Sequence, residues 1–310
     1  MTGTEQPTAA PLGRERREDE PWTVLGLILW SAGYLEGKGV EQARLDAEHL
    51  LAHALSTSRL QLYLQHDRPL ASGELAAFKP LLLRRAQREP LQYVTGRAAF
   101  RELELAVDAR VLIPRPETEV LVEAVLEWAA REARGGARAE LEALDVGTGS
   151  GCIALSLLRE GPFRRVVATD ASADALVVAA ANADRAALGG RIVLRAGSLW
   201  EPLGAGDRFD VIVANPPYVA DGDAPALAPE VRDWEPAAAL FAGTEGMDVL
   251  DGIVAGAAER LRPGGLLALE VGLGQAPVVA DRLRATGRFG EPRIRRDLTG
   301  RPRIVMGNRG

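Results

Sequence analysis

The chain has 310 residues, 47% of them hydrophobic, and a formal charge of −6. That length suggests about two domains, and the apolar share is enough for a sizeable core. The acidic balance argues against a general nucleic-acid binder, and no apolar run approaches the roughly 18 residues that a membrane span needs. Cys152 is the one cysteine, so an internal disulfide is excluded and a reducing, cytoplasmic setting is expected.

Residues 1–20 lack the apolar stretch of a signal peptide, and Glu15, Glu18, Asp19 and Glu20 are foreign to a transit peptide. A disordered tail is expected there, because the segment has almost nothing to bury. From 21 to 89 the pattern is helical. "WTVLGLILWSAGYL" is apolar on all sides and is expected to be well buried. "VEQARLDAEHLLAHAL" puts Ala43, Ala47, Leu50, Leu51, Ala54 and Leu55 at helical spacing. Ser58 and Ser72 are the expected N-caps of two further helices. A β-hairpin linker is expected over 90–115, from the β-type residues of "YVTGRAAF" and the alternation in "LELAVDARVLI". Pro116 suits the first position of the next helix, with Glu117 and Glu119 in its electropositive first turn.

From 116 to 310 a second domain is expected. After Glu140 it alternates strand and helix: "EALDV", "RVVATD", "RIVLRAG", "FDVIVA", "GLLALEVG" and "PRIVMG" are the strands. This order implies an α/β fold with a mostly parallel sheet covered on both faces. An antiparallel last strand would mark one branch of such folds, which periodicity alone does not decide. Residues 221–236 form a long Pro-rich segment of the kind that is often functional.

Two side features have bland and sharp readings. Lys79, Arg84, Arg85, Arg88, Arg97 and Arg101 face a single acid, Glu89, between 79 and 101. They form either a solvated helix face or a docking surface for an acidic partner. His49 and His53 lie four apart on one helix, and a zinc pair would need more ligands than the neighbouring sequence supplies. No metal is expected.

"LDVGTGSGCIAL" places Gly147, Gly149 and Gly151 between a strand and a helix, where glycine permits a sharp turn and close approach of a ligand. Asp170 closes the next strand, at the distance where an acid meets ribose hydroxyls. A dinucleotide fingerprint would need glycine at 152, which is cysteine. The observed G-x-G-x-G, preceded by Asp145, resembles the motif of S-adenosyl-L-methionine-dependent methyltransferases. Cys152 reads as a small apolar helix residue, since no histidine follows His66 and a Cys–His pair would have to cross domains.

The strand "FDVIVA" then runs into Asn215-Pro216-Pro217-Tyr218, and prolines lack the N–H that a sheet ladder needs. With a methyl donor in view, this stretch resembles the (N/D)-P-P-(Y/F/W) motif of enzymes that methylate planar nitrogen. Such nitrogen is a poor nucleophile because its lone pair is delocalised. The side-chain oxygen of Asn215 and the carbonyl of Pro216 are suitable acceptors for its two N–H groups. They would orient it at near-attack distance and offset the developing positive charge. Tyr218 is expected to pack against the planar group.

Several stretches together resemble the peptide chain release factor glutamine methyltransferases, the HemK/PrmC family. They are Pro90 to Glu123, "ALDVGTGSGCIALSLL", "VVATDASADAL", "NPPYV", "EPAAALFAGTEGMDVL" and "DLTGRPRIVMG". The resemblance spans about residues 22–309. It implies a seven-stranded, Rossmann-like class I methyltransferase domain, preceded by a small all-helical substrate-recognition domain and a β-hairpin linker. It implies transfer of a methyl group to the glutamine of the Gly-Gly-Gln loop of class I release factors. No stable nucleic acid and no membrane are expected as partners, and a monomeric enzyme is expected. By position, Gly147, Thr148, Gly149, Ser150 and Gly151 would line the methionine and ribose of the cofactor, and Asp170 would hold the ribose hydroxyls. Asn215, Pro216, Pro217 and Tyr218 would bind the glutamine amide, with Asn215 also near the methyl. Arg115, Glu117 and Thr118 would lie near the site, and Phe100 would form part of the cofactor wall. The chain departs from the family at Ser198, where an acid often recognises adenine; Leu199 or Trp200 would cover the ring. A paralogue acting on a ribosomal protein, an adenine-N6 nucleic-acid methyltransferase and a catalytically silent binding module are the competing readings.

Overall fold

A computed structural model describes residues 21–134 and 140–310, so the tail expected at 1–20 lies outside the described residues. The chain forms two compact units, one ending at Thr95 and one beginning at Gly96.

The first unit is helical: α1 (Val24–Glu36), α2 (Ala43–Ala54), α3 (Arg59–Leu64), α4 (Ser72–Ala86) and α5 (Leu91–Thr95). Thr23 caps α1, its hydroxyl accepting from the Gly26 N–H at 3.1 Å, and Ser58 caps α3 in the same way. Ser72 is not a cap but the first residue of α4. The cap position falls on Ala71, whose N–H donates to the Glu74 carboxylate at 2.8 Å. Leu35, Leu50, Leu51 and Phe78 are fully buried between the helices. The all-round burial expected of α1 does not hold. Trp30 is 52% exposed and stacks on Tyr34 with ring centroids 5.5 Å apart. Tyr93–Thr95, whose β-type residues suggest strand, are helical: Pro90 opens a turn in which its carbonyl accepts from the N–H groups of Tyr93 and Val94. The basic run is largely neutralised within each unit. Arg84 pairs with Glu89, Arg85 with the buried Asp46 at 2.7 Å, and Arg101 with Glu160.

The second unit opens with a hairpin, β1 (Arg97–Phe100) and β2 (Leu103–Ala106), followed by α6 (Pro116–Arg134). Then come β3 (Leu141–Val146), α7 (Cys152–Glu160), β4 (Phe163–Asp170), α8 (Ala173–Arg185), β5 (Ile192–Ala196) and β6 (Phe209–Ala214). A short α9 (Pro229–Arg232), α10 (Asp248–Arg260), β7 (Leu261–Glu270), α11 (Gln275–Ala285), β8 (Arg293–Arg296) and β9 (Pro302–Asn308) complete it. The seven-stranded sheet runs β5-β4-β3-β6-β7-β9-β8. Strands β5, β4, β3, β6 and β7 are parallel, and β9 is antiparallel to both neighbours. Chain order reverses beside β3, so the crevice beyond the carboxyl ends of β3 and β6 is the switch point where ligands bind in such sheets. The core packs α10 and α11 on one face through Leu250, Ile253, Val279 and Leu283.

Candidate active site

The turn after β3 is built from glycine because its backbone enters the left-handed region. Gly147, Gly149 and Gly151 have φ of 74°, 53° and 84°. The N–H groups of Gly147 and Thr148 both donate to the Thr169 carbonyl on β4 at 2.9 Å, which folds the turn against its neighbour. A Cβ added at Gly147 or Gly149 would meet nothing within 4 Å, so these positions border open space. At Gly151 it would come 3.4 Å from the Cβ of Ala179, so this glycine serves the packing of α7 on α8. The buried amide of Asn182 locks the arrangement. It donates to the carbonyls of Ser150 and Ala106 and accepts from the Ala106 N–H, tying the hairpin to the glycine turn.

Asp170 ends β4 beside this turn. One carboxylate oxygen accepts from the Gly149 N–H at 2.9 Å and the other from the Ser172 N–H at 2.8 Å. Each oxygen retains a free lone pair. Asp145 is wholly buried one strand away, accepting from the Thr148 hydroxyl at 2.7 Å and the Ala154 N–H at 3.2 Å. Burial raises its carboxyl to about 7. Desolvation also pushes the half-buried Cys152 thiol up to about 12, which makes it a poor nucleophile.

Val146 pairs with Ala214, so Gly147 and Asn215 leave adjacent strands at the same level. The Asn215 Nδ2 donates to Thr118 Oγ1 at 3.0 Å, and that hydroxyl donates to Glu270 Oε2 at 2.7 Å. The Asn215 Oδ1 is buried and has no partner among the described residues. Desolvation at the end of β7 raises the Glu270 carboxyl to about 7. The corner is held from behind. The Gln275 amide donates to the carbonyls of Tyr218 and Gly246 at 3.1 and 3.2 Å, and the Arg303 guanidinium lies 5.4 Å from the Tyr218 ring centroid. Arg115 pairs with the buried Glu235, which also accepts from the Ile113 N–H and so fastens the segment before α6 to the loop after the corner.

A cavity of about 360 Å³ lies at this edge of the sheet. Gly147, Thr148, Gly149, Ser150, Asp170, Ser198, Leu199, Asn215, Pro216 and Pro217 line it, together with Arg115 and Thr118. Gly151, Phe100, Trp200 and Tyr218 are not among its lining residues. Phe100 is buried on the inward side of β1. The Trp200 indole turns away to donate to the Gly252 carbonyl at 2.9 Å, which leaves Leu199 as the residue of the two that borders the cavity. The Tyr218 ring is held outside it, against Arg303. Sequence reasoning missed Glu270 and Glu235, and also Asp248 and Val249, which line the cavity. An acid ending a strand at the ligand-binding edge was the available signal for Glu270. Among the described residues, no group of three or more His, Cys, Asp or Glu is arranged to hold a metal ion, and no helix is long and apolar enough to cross a membrane.

A sheet of this order, with a glycine turn and an Asn-Pro-Pro-Tyr corner side by side at its carboxyl edge, defines the second unit as a class I methyltransferase domain. A methyltransferase from Pyrococcus furiosus shares the fold with a TM-score of 0.51 at 19% identity, over 68% of this chain and 91% of its own. Two family models match, the PrmC N-terminal domain over residues 27–96 and the Methyltransferase small domain over residues 123–230. The release factor glutamine methyltransferase of Geobacter sulfurreducens is 46% identical over 94% of this chain and 98% of its own length. Those of Moorella thermoacetica and Chlorobaculum tepidum are 43% and 42% identical, over 89% and 82% of this chain and 94% and 87% of theirs. The chain belongs to the release factor glutamine methyltransferase family.

Proposed function

We propose that this enzyme transfers a methyl group from S-adenosyl-L-methionine to the side-chain amide nitrogen of the glutamine in the Gly-Gly-Gln motif of class I peptide chain release factors. The carrying observation is the unpartnered Asn215 Oδ1 beside a cavity that also holds the glycine turn and Asp170. A hydrogen-bond acceptor buried without a partner is costly unless a ligand supplies the donor. A glutamine amide N–H supplies it.

The cavity suits the cofactor. Its volume lies in the range of small-molecule sites, and the glycine turn leaves space that any side chain would fill. Gly147, Thr148, Gly149 and Ser150 would hold the methionine end, and Asp170 would accept the ribose hydroxyls on its remaining lone pairs. Ser198 and Leu199 would border the adenine. Bound there, the cofactor would supply an electrophilic methyl carbon; the amide nitrogen would take it as the carbon–sulfur bond breaks and would give up a proton to solvent. Asn215 Oδ1 and the Pro216 carbonyl hold the amide N–H groups, aim the lone pair, and stabilise the positive charge that grows on nitrogen. Pro217 stiffens the corner, and Tyr218 anchors it through Gln275 and Arg303. The helical unit at 21–89 would recognise the release factor. The enzyme is taken to act as a monomer in the cytoplasm.

The test is a parallel incubation of labelled S-adenosyl-L-methionine with purified release factor, ribosomal protein and unmethylated DNA. Label should enter the release factor and localise to its Gly-Gly-Gln glutamine. Label in DNA or the ribosomal protein, and none in the release factor, would overturn the proposal.

A further inference from the structure

The hydrogen bonds around Asn215 run in one direction. A hydroxyl carries one proton. Thr118 donates its proton to Glu270 Oε2 at 2.7 Å, so toward Asn215 it presents only lone pairs, and the Asn215 Nδ2 donates to it at 3.0 Å. The amide oxygen of Asn215 must then face the other way, where it has no partner among the described residues. A flipped amide would offer N–H groups to the N–H groups of the substrate and could not hold it. The three residues come from separate elements: Thr118 from the first turn of α6, Asn215 from the end of β6, and Glu270 from the end of β7. Thr118 and Glu270 are both fully buried.

We propose that Thr118 and Glu270 are positioning residues for methyl transfer: they fix the Asn215 amide with its oxygen toward the reacting nitrogen and strengthen that oxygen as an acceptor. This rests on the function proposed above. The strengthening follows from cooperativity. An anion accepting from the Thr118 hydroxyl makes its oxygen a better acceptor for the Asn215 N–H, and this draws negative charge onto Oδ1. Several charged or titratable groups face Glu270. They are Arg303 from β9, Arg115 just before α6 and Glu117 in its first turn, Tyr218 after β6, and Cys152 from α7. The other Glu270 oxygen has no partner among the described residues. Burial raises the carboxyl to about 7, so its charge changes around neutral pH.

The experiment compares the full-length enzyme with Thr118→Val, Thr118→Ser and Glu270→Gln. It measures steady-state methylation of purified release factor from about pH 6 to 9, with calorimetric binding of S-adenosylhomocysteine alongside. Thr118→Val should lower kcat about tenfold or more while product affinity stays within about twofold, and Thr118→Ser should restore most of the rate. Wild-type kcat should rise with pH through about 7, as Glu270 ionises. Glu270→Gln keeps an acceptor for Thr118 but no charge, so its profile should be flat there. A Thr118→Val enzyme with wild-type kcat, a Thr118→Ser enzyme no better than Thr118→Val, or an acid limb retained in Glu270→Gln would overturn the proposal. If Thr118→Val loses product binding, the Glu270→Gln profile decides alone. A wild-type enzyme that fails to methylate the release factor refutes the underlying function instead.

Discussion

Gly246 lies behind the Asn-Pro-Pro-Tyr corner and sets its position. Its φ is 69°, and an added Cβ would lie 2.3 Å from the Tyr218 carbonyl oxygen and 3.0 Å from the Ala220 nitrogen. Close carbon–oxygen contacts across backbones begin at about 3.3 Å, so Gly246→Ala must open this junction by about 1 Å. The neighbour is backbone, already tied to Gly246 through the Gln275 amide, and has no rotamer by which to retreat. Left-handed backbone costs an L side chain a further 1–2 kcal/mol or so. A displacement of about 1 Å in a group that aims a nucleophile costs about 10²-fold in rate. Gly246→Ala should therefore lower kcat about 10²-fold. S-adenosylhomocysteine affinity should change little, because the glycine turn belongs to β3 and α7. Gly274→Ala is the control: its φ is 83°, yet the added Cβ meets nothing within 4 Å. It should lower the urea midpoint by the backbone cost alone and leave kcat near wild type. Steady-state methylation and calorimetry on both variants decide the matter. Wild-type kcat in Gly246→Ala, or an equal loss in Gly274→Ala, would show that Gly246 does not set the corner.

Four further outcomes are expected. Asn215→Ala should reduce methyl transfer about 10²–10³-fold with product binding largely intact, as loss of one preorganised hydrogen-bonding group does elsewhere; retained turnover removes Asn215 from the mechanism. Asp170→Asn should weaken S-adenosylhomocysteine about tenfold or more by calorimetry, since one amide oxygen cannot accept from the N–H groups of both Gly149 and Ser172. Ser198→Asp should tighten cofactor binding about fivefold, the gain of a charged acceptor over a neutral one, and an unchanged affinity would count against an adenine role for this position. Asp145 carries a folded-state pKa raised from 3.8 to about 7, so the folded chain binds the extra proton in that window and stability falls as pH rises through it. Asp145→Asn should reduce that fall, by at most about 4 kcal/mol, in urea midpoints taken across the window, while Glu270 keeps a residual slope of the same sign. An unchanged slope would show that Asp145 does not hold the proton.

Much of the second unit was legible because its signals are local. Apolar runs closed by Gly147 or Asp170 are strands meeting a turn, and Pro116 followed by Glu117 opens a helix as capping physics requires. Strand β8, Arg-Ile-Arg-Arg, was not legible: at the sheet edge three of its four residues are exposed, so no buried face imposes alternation. Tyr93–Thr95 misled because β-type residues are weak evidence beside a proline that starts a turn. Trp30 misled because an apolar residue in a helix need not be inside. In the site, Asn215, Asp170 and the glycines announce themselves by spacing. Glu270 and Glu235 act through partners 152 and 120 residues away, and no window of sequence contains both ends. Trp200 and Tyr218 were legible as aromatic residues near the site. Which way their rings turn depends on Gly252 and Arg303, both distant in the chain.

Methyl transfer as proposed depends on a flat amide nitrogen gripped at the Asn215 corner and aimed at the methyl donor. A crystal structure with a Gly-Gly-Gln peptide and S-adenosylhomocysteine tests it most directly. The glutamine nitrogen should lie within hydrogen-bonding distance of Asn215 Oδ1 and the Pro216 carbonyl, with its open face toward the sulfur. A nitrogen bound elsewhere, or an Asn215 amide turned to present Nδ2, would rule out this geometry.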